Sequence, residues 1–271
     1  MTDTTIHQAV REGPGAPGAT ALVTGGRSWT YRTLLDAAEQ VADRLATGSH
    51  SSAAVTAQVS DPAAAAVLTL GCDLAGVPLV HRDPAAPGVP QGPTVHDRRD
   101  AAPDTARPLC DDPAMWLGTG APETAAHGLP ARAQIFLTSG STGTPVGVVR
   151  SPSAVLADAR RVAAYLGYEP GAPVTVAAPL FHAYGFNYGL LGPLLHGAAP
   201  VCVSPRSLPS RLARVVGEHA ARTLIALPFH YGLLGQAGPS ALPALREGFA
   251  PLRAAVAAGA PLGPGVATAV A

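Results

Sequence analysis

The chain has no lysine: all 18 of its basic residues are arginines. Chemistry that needs a lysine cannot be supplied by these residues. Charge of either sign is scarce, at 13% of the 271 residues, and the formal net charge is +0. A neutral chain offers no electrostatic case for nucleic acid or an anionic membrane surface. Cysteine is limited to Cys72, Cys110 and Cys202, far apart and without a CxxC pair. Neither a zinc site nor a disulfide framework is implied, and reduced thiols in a cytoplasmic protein are expected. No apolar run is long enough to cross a membrane without interruption. Residues 1–19 are polar, with Gly and Pro, and lack a basic start followed by an apolar stretch. They are expected to be disordered and not a signal peptide.

What is there is a hydrophobic fraction of 47%, enough for one large domain or two smaller ones with real cores. Residues 20–27 suggest two short strands around a turn at Gly25 and Gly26. Thr30 stands as N-cap before Leu34, Leu35, Ala38, Val41, Ala42 and Leu45, which recur at helical spacing. Residues 53–59 suggest a strand. Asp61 and Pro62 start a helix that Gly76 ends, and Val77–His81 returns as a strand. Strand, helix and strand in that order make a βαβ unit, which requires a parallel sheet. Residues 83–130 lose this rhythm and suggest a long Pro/Ala-rich connection with a little structure around Trp116.

The α/β alternation then resumes. Strands are expected at 135–138, 147–150, 174–178, 201–204, 223–227 and 252–257, with helices at 153–166, 184–196 and 208–220. The expected organisation is a first α/β subdomain over 20–130 and a second over 131–271.

The most informative segment is Thr138–Gly147, TSGSTGTPVG, which follows the apolar run Ile135-Phe136-Leu137. Gly140, Gly143 and Gly147 allow sharp turning and close approach of a ligand. Ser139, Ser141, Thr142 and Thr144 add hydroxyls to backbone N–H groups that can form a concave anion site. The composition suits a triphosphate, yet it is neither a Walker loop nor a dinucleotide turn.

TSGSTGTPVG resembles the phosphate-loop signature [ST]-SG-[ST]-TG-x-PKG of the adenylate-forming, AMP-binding superfamily, which includes acyl-CoA synthetases and adenylation domains. The resemblance implies that Thr138, Ser139, Gly140, Ser141, Thr142, Gly143 and Thr144 surround the ATP phosphates. The signature's lysine is Val146 here. Further segments support the likeness: Ser28–Tyr31 with Leu34, Asp61–Pro84, and Pro179–Gly189 (PLFHAYGFNYG). Leu227–Tyr231 and Ala257–Leu262 resemble later family segments.

By that likeness His182 is the candidate catalytic residue, beside the ATP and acyl pockets. Tyr184, Phe186, His230, Gly259, Ala260 and Pro261 fall in the adenine and acyl vicinity. No acid occurs between residues 179 and 199. A substrate ammonium would therefore lack a partner, which is costly when buried. A fatty or aryl acid is expected rather than an α-amino acid.

The resemblance implies the large N-terminal domain of such an enzyme: α/β, with mostly parallel sheets. It also implies ATP and Mg2+, and coenzyme A or a carrier protein's phosphopantetheine as acyl acceptor. The family pattern continues beyond Gly259–Leu262 with metal-side and ribose-binding acids and a C-terminal lid domain. None of these is found in this sequence. The implied protein is a truncated acid-activating ligase that needs a missing half, on a complementary chain or through an oligomer. The alternative is a degenerate homologue that binds nucleotide, acyl group or partner without turnover.

Overall fold

A computed structural model describes residues 4–47, 54–88, 92–118, 128–138, 145–263 and 265–266. In chain order the elements begin with α1 (Ile6–Arg11), β1 (Thr20–Thr24), β2 (Arg27–Thr30), α2 (Tyr31–Ala46), β3 (Val55–Gln58), α3 (Pro62–Ala75) and β4 (Leu79–His81). They continue with β5 (Thr94–His96), β6 (Arg107–Asp111), β7 (Ala114–Gly118), β8 (Gln134–Thr138), β9 (Val146–Arg150) and α4 (Pro152–Leu166). After β10 (Pro173–Val176) comes a π-helix (Gly185–Leu191), then α5 (Gly192–Leu195), β11 (Ala199–Cys202), α6 (Pro209–His219) and β12 (Thr223–Ala226). The last are α7 (Pro228–Gly235), α8 (Leu242–Phe249) and β13 (Ala254–Ala257). No helix among the described residues is long and apolar enough to cross a membrane.

The chain divides into two compact units: Met1–Gly13 with Trp29–Asp158, and Pro14–Ser28 with Ala159–Ala271. The first holds a seven-stranded sheet of order β6-β7-β5-β3-β4-β8-β9. Its centre is parallel, with β3 beside both β4 and β5, and β4 beside β8. Helix α2 starts as expected: Thr30 caps it, accepting the Thr33 N–H at 3.1 Å, while the Thr33 hydroxyl accepts the Thr30 N–H. Leu34, Val41 and Leu45 on its inner face are fully buried. Each contributes roughly 1.5–3 kcal/mol relative to exposure. In α3, Asp61 caps the start, and Gly76 ends the helix in the left-handed conformation at φ 78°.

Three expectations need correction. Residues 1–19 are not without order: Ile6 and Val10 of α1 are buried, and buried Asp73 accepts the His7 N–H at 2.8 Å. A six-residue helix is too short to show a period and is held by these tertiary contacts. Residues 83–130 are not simply a connection, because β5, β6 and β7 extend the sheet at one edge. They pair over three to five residues, too few for alternation to stand out, and Pro93 and Pro108 mask them further. The division falls at Asp158 rather than at residue 130, so the β8–β9 hairpin belongs to the first unit.

The second unit holds a six-stranded sheet of order β13-β12-β10-β11-β1-β2. The five strands from β13 to β1 are parallel. Strand β1 joins it through the pairs Val23↔Val201 and Thr24↔Cys202. That pairing across some 178 positions draws the 14–28 segment into this unit, and local pattern carries no trace of it. Its core includes Ala177, Leu212, Leu224, Ala226 and Tyr231, with Phe249, Leu252 and Leu262 packed against them.

Candidate functional site

In the first unit the Gly/Ser-rich segment is carried by the antiparallel β8–β9 hairpin. Thr138↔Val146 is the last pair, and the Thr138 hydroxyl donates to the Val146 carbonyl at 3.2 Å, closing the stem. Ser139, Gly140, Ser141, Thr142, Gly143 and Thr144 lie outside the described residues. Gly147 sits in the strand, not in the turn. It faces Leu137, and a Cβ there would come within 3.0 Å of Ile135 Cγ2. Val146, at the lysine position of the signature, is 56% exposed. Arg150 does not replace that lysine. It pairs with Gln134 at the other end of the hairpin, four residues or about 13 Å along the strand. There its guanidinium is tied to Asp158 at 2.9 Å and to the Ala154 carbonyl.

In the second unit the topology itself marks a crevice. From β10 the chain moves to β11 on one side, and from β12 it moves to β13 on the other. Where neighbouring parallel strands send their connections in opposite directions, a crevice opens outside their carboxyl ends. The segments leaving those ends carry His182 and Tyr184 after β10, His230 after β12, and Gly259, Ala260 and Pro261 after β13. His182, Gly259, Ala260 and Pro261 are exposed. The Phe181 ring lies 4.5 Å from that of His182. Gly259 has φ +101°, so the turn after β13 favours glycine.

The tyrosines there brace the strand ends. The Tyr184 hydroxyl lies 3.0 Å from the Ala226 carbonyl and 2.8 Å from that of Val256, and the Tyr231 hydroxyl donates to Val256 at 3.0 Å. Burial pushes both phenols above their ordinary range. Sequence reasoning missed Tyr231. Its signal was available, since a tyrosine in an apolar run needs a partner for its hydroxyl. His230 is fully buried. Its Nδ1 accepts the Leu227 N–H at 3.0 Å, which caps α7 and leaves the proton of the neutral ring on Nε2. Desolvation lowers its pKa. Phe186 is 1% exposed, within the π-helix, and so packs in the core.

The π-helix follows from close approach. A Cβ at Gly185 would stand 2.1 Å from the Pro179 carbonyl oxygen, and one at Gly189 would stand 2.5 Å from Val176 Cγ1. The Gly192 N–H bonds to the Asn187 carbonyl five residues back. Such windings recur at functional sites. Charge at this edge is sparse. Across 177–184, 203–208, 227–231 and 258–263 the one ionisable cation besides histidine is Arg206, which is exposed and has no ion pair among the described residues. Leu208 (61%) and Phe229 (48%) add exposed apolar surface. Among the described residues no three His, Cys, Asp or Glu side chains group to hold a metal ion, so these residues do not fit a Mg2+ site of their own.

A hairpin that carries the Gly/Ser-rich segment on one unit, and a second unit built on a mostly parallel sheet, define the class as α/β. Residues 93–271 match the family described as AMP-binding enzyme, and the chain belongs to that family. Among curated relatives, a provisionally named fatty-acid–CoA ligase of Mycobacterium tuberculosis, fadD25, is 29% identical over 234 residues. That match covers 73% of this chain and 38% of the relative. The benzoate–CoA ligase of Thauera aromatica is 35% identical over 123 residues, covering 45% of this chain and 23% of that protein. Among solved structures, ATP-bound MatB from Rhodopseudomonas palustris superposes with a TM-score of 0.74 at 19% identity. It covers 99% of this chain, which spans 57% of the MatB chain. The fold is therefore the N-terminal part of such a protein, α/β with two mostly parallel sheets.

Proposed function

We propose that this chain is the N-terminal, ATP-binding part of an acid–thiol ligase acting on fatty or aryl acids. The observation that carries the reading is the β8–β9 stem, which closes on the TSGSTGTP segment in a member of the AMP-binding enzyme family. In the proposed reaction a carboxylate oxygen attacks the α-phosphorus of ATP. The bond to the bridging oxygen breaks, and pyrophosphate leaves with its electron pair. A thiol of coenzyme A, or of a carrier protein's phosphopantetheine, then displaces AMP from the acyl-AMP.

Thr138 to Thr144 would hold the phosphates through backbone N–H groups and hydroxyls, which stabilise charge as it moves to the leaving group. Exposed His182 and Arg206 stand at the carboxyl edge. The lack of any acid there supports a substrate without an ammonium group. The match spans 38% of fadD25, so turnover is proposed to need residues beyond the matched part, whichever polypeptide carries them. The setting proposed is the cytoplasm.

A second reading, binding without turnover, is favoured by one observation. Val146 stands exposed where the signature has its lysine, and Arg150 is engaged by Asp158. The two part in a single assay: the purified chain is incubated with Mg-ATP and a panel of fatty and aryl acids, and acyl-AMP is sought by mass spectrometry. Product above that of a Ser141→Ala, Thr142→Ala control supports the ligase reading. A folded sample that binds ATP and makes none supports the second.

A further inference from the structure

The second unit holds a cavity away from its carboxyl edge. It lies at the opposite edge of the same sheet, where β10, β12 and β13 begin, and has a volume of about 160 Å³. Leu166, Tyr168 and Val174 supply its apolar lining, and Glu169, Arg222 and Arg253 complete it with charge. Val174 is 1% exposed and Tyr168 8%, so they form the floor of the cavity, while Leu166 is half-buried at its wall. The Tyr168 hydroxyl is committed to the Tyr188 carbonyl at 2.7 Å and offers the cavity no polar group. Part of the backbone is also committed: the Arg253 and Ala254 N–H groups both donate to the Arg222 carbonyl, and the Ala172 N–H donates to the Glu169 carbonyl.

The charge lies at the exposed mouth. Arg222 faces Glu169 at 3.5 Å, with both side chains about two-thirds exposed (66% and 67%). Arg253 has no ion pair or side-chain hydrogen bond among the described residues. The mouth therefore presents two guanidinium groups against one carboxylate. An apolar cavity of about 150 Å³ holds one benzene-sized body. A guanidinium fork matches a carboxylate in bidentate geometry.

We propose that this cavity is a binding site for a small monocarboxylate with a compact apolar body, of the size of benzoate. The ring enters between Leu166, Tyr168 and Val174. The carboxylate pairs with Arg253 and competes with Glu169 for Arg222. The site lies across the sheet from the carboxyl-edge crevice and is independent of the phosphate loop, so it stands whether or not the chain forms acyl-AMP.

The test is calorimetric titration of the whole chain with benzoate, with benzyl alcohol as the neutral comparison. Saturable benzoate binding in the millimolar range or tighter is expected, and none for benzyl alcohol. Arg253→Gln should weaken it about tenfold, as for loss of one charge-assisted pair. Glu169→Gln should tighten it, because a competitor for Arg222 is removed. Both positions are exposed, so folding is retained, and circular dichroism checks it. Ser141→Ala with Thr142→Ala should leave this binding unchanged. Absence of saturable binding overturns the proposal. So does binding indifferent to both Arg253→Gln and Glu169→Gln, or binding abolished by the loop substitutions.

Discussion

Replacing Gly185 by alanine should be among the most damaging single-methyl additions in the second unit. The Cβ would stand 2.1 Å from the Pro179 carbonyl oxygen, 2.8 Å from its carbonyl carbon and 3.2 Å from the Ala178 oxygen. A carbon and a carbonyl oxygen rest at about 3.3 Å or more, so one contact is short by roughly 1.2 Å. The obstacle is backbone, not the end of a flexible side chain, so it cannot rotate aside. Relief requires moving the 179–185 segment away from the strand end that the Tyr184 hydroxyl braces. Overpacking of this kind costs about 1–3 kcal/mol and more where backbone must shift. A figure near 3 kcal/mol corresponds to a fall in Tm on the order of 10 °C. Gly232→Ala is the control. Gly232 lies inside α7 with nothing within 4 Å of its Cβ position, so alanine there should stabilise by up to about 1 kcal/mol. Thermal unfolding of the two variants should show shifts of opposite sign. A Gly185→Ala protein within about 0.5 kcal/mol of the parent would refute the close-approach account of the π-helix.

Acidification should destabilise the chain between about pH 6.5 and 4. Burial holds His81 down at about 4 and also lowers His7, His96 and His230. The unfolded chain then binds more protons in that window, so stability present above pH 6.5 is lost as pH falls. His81 alone accounts for up to about 3 kcal/mol. Asp73, raised by burial, works the other way, gaining stability as pH falls through its raised value toward 3.8. Urea unfolding across pH would show the net fall, and a flat profile would contradict it. Cys72, Cys110 and Cys202 are buried, and burial raises the Cys72 and Cys110 thiols. A thiol reagent should label none of the three in the native chain and all three in denaturant. Tyr184→Phe should cost about 1 kcal/mol by urea unfolding and speed amide exchange around residues 256–260; unchanged exchange there would remove the bracing role.

How much of this was legible depended on how local the cause was. Thr30, Asp61 and Gly76 announce their helix ends because a cap acts within three residues, and each was placed correctly. The βαβ unit of β3, α3 and β4 followed from length and order alone. Strands β5 to β7 did not, because three to five residues interrupted by proline carry little period. Helix α1 depends on the Asp73 carboxylate 66 positions away, and β1 on β11, so neither is written in its own segment. At the site, motif singled out the TSGSTGTP segment, most of which lies outside the described residues, and the segments that leave the carboxyl edge. It did not foretell that His230 is spent on capping, that Phe186 packs in the core, or that Arg150 is occupied by Asp158. Each of those depends on which way a side chain turns once the sheet has formed.

The most direct test of the central claim is calorimetric titration of the purified chain with ATP, beside the Ser141→Ala, Thr142→Ala variant. Saturable binding by the parent chain, weakened at least about tenfold in the variant, is the expected result. A folded parent chain that does not bind ATP, or a variant that binds as well as the parent, would contradict it.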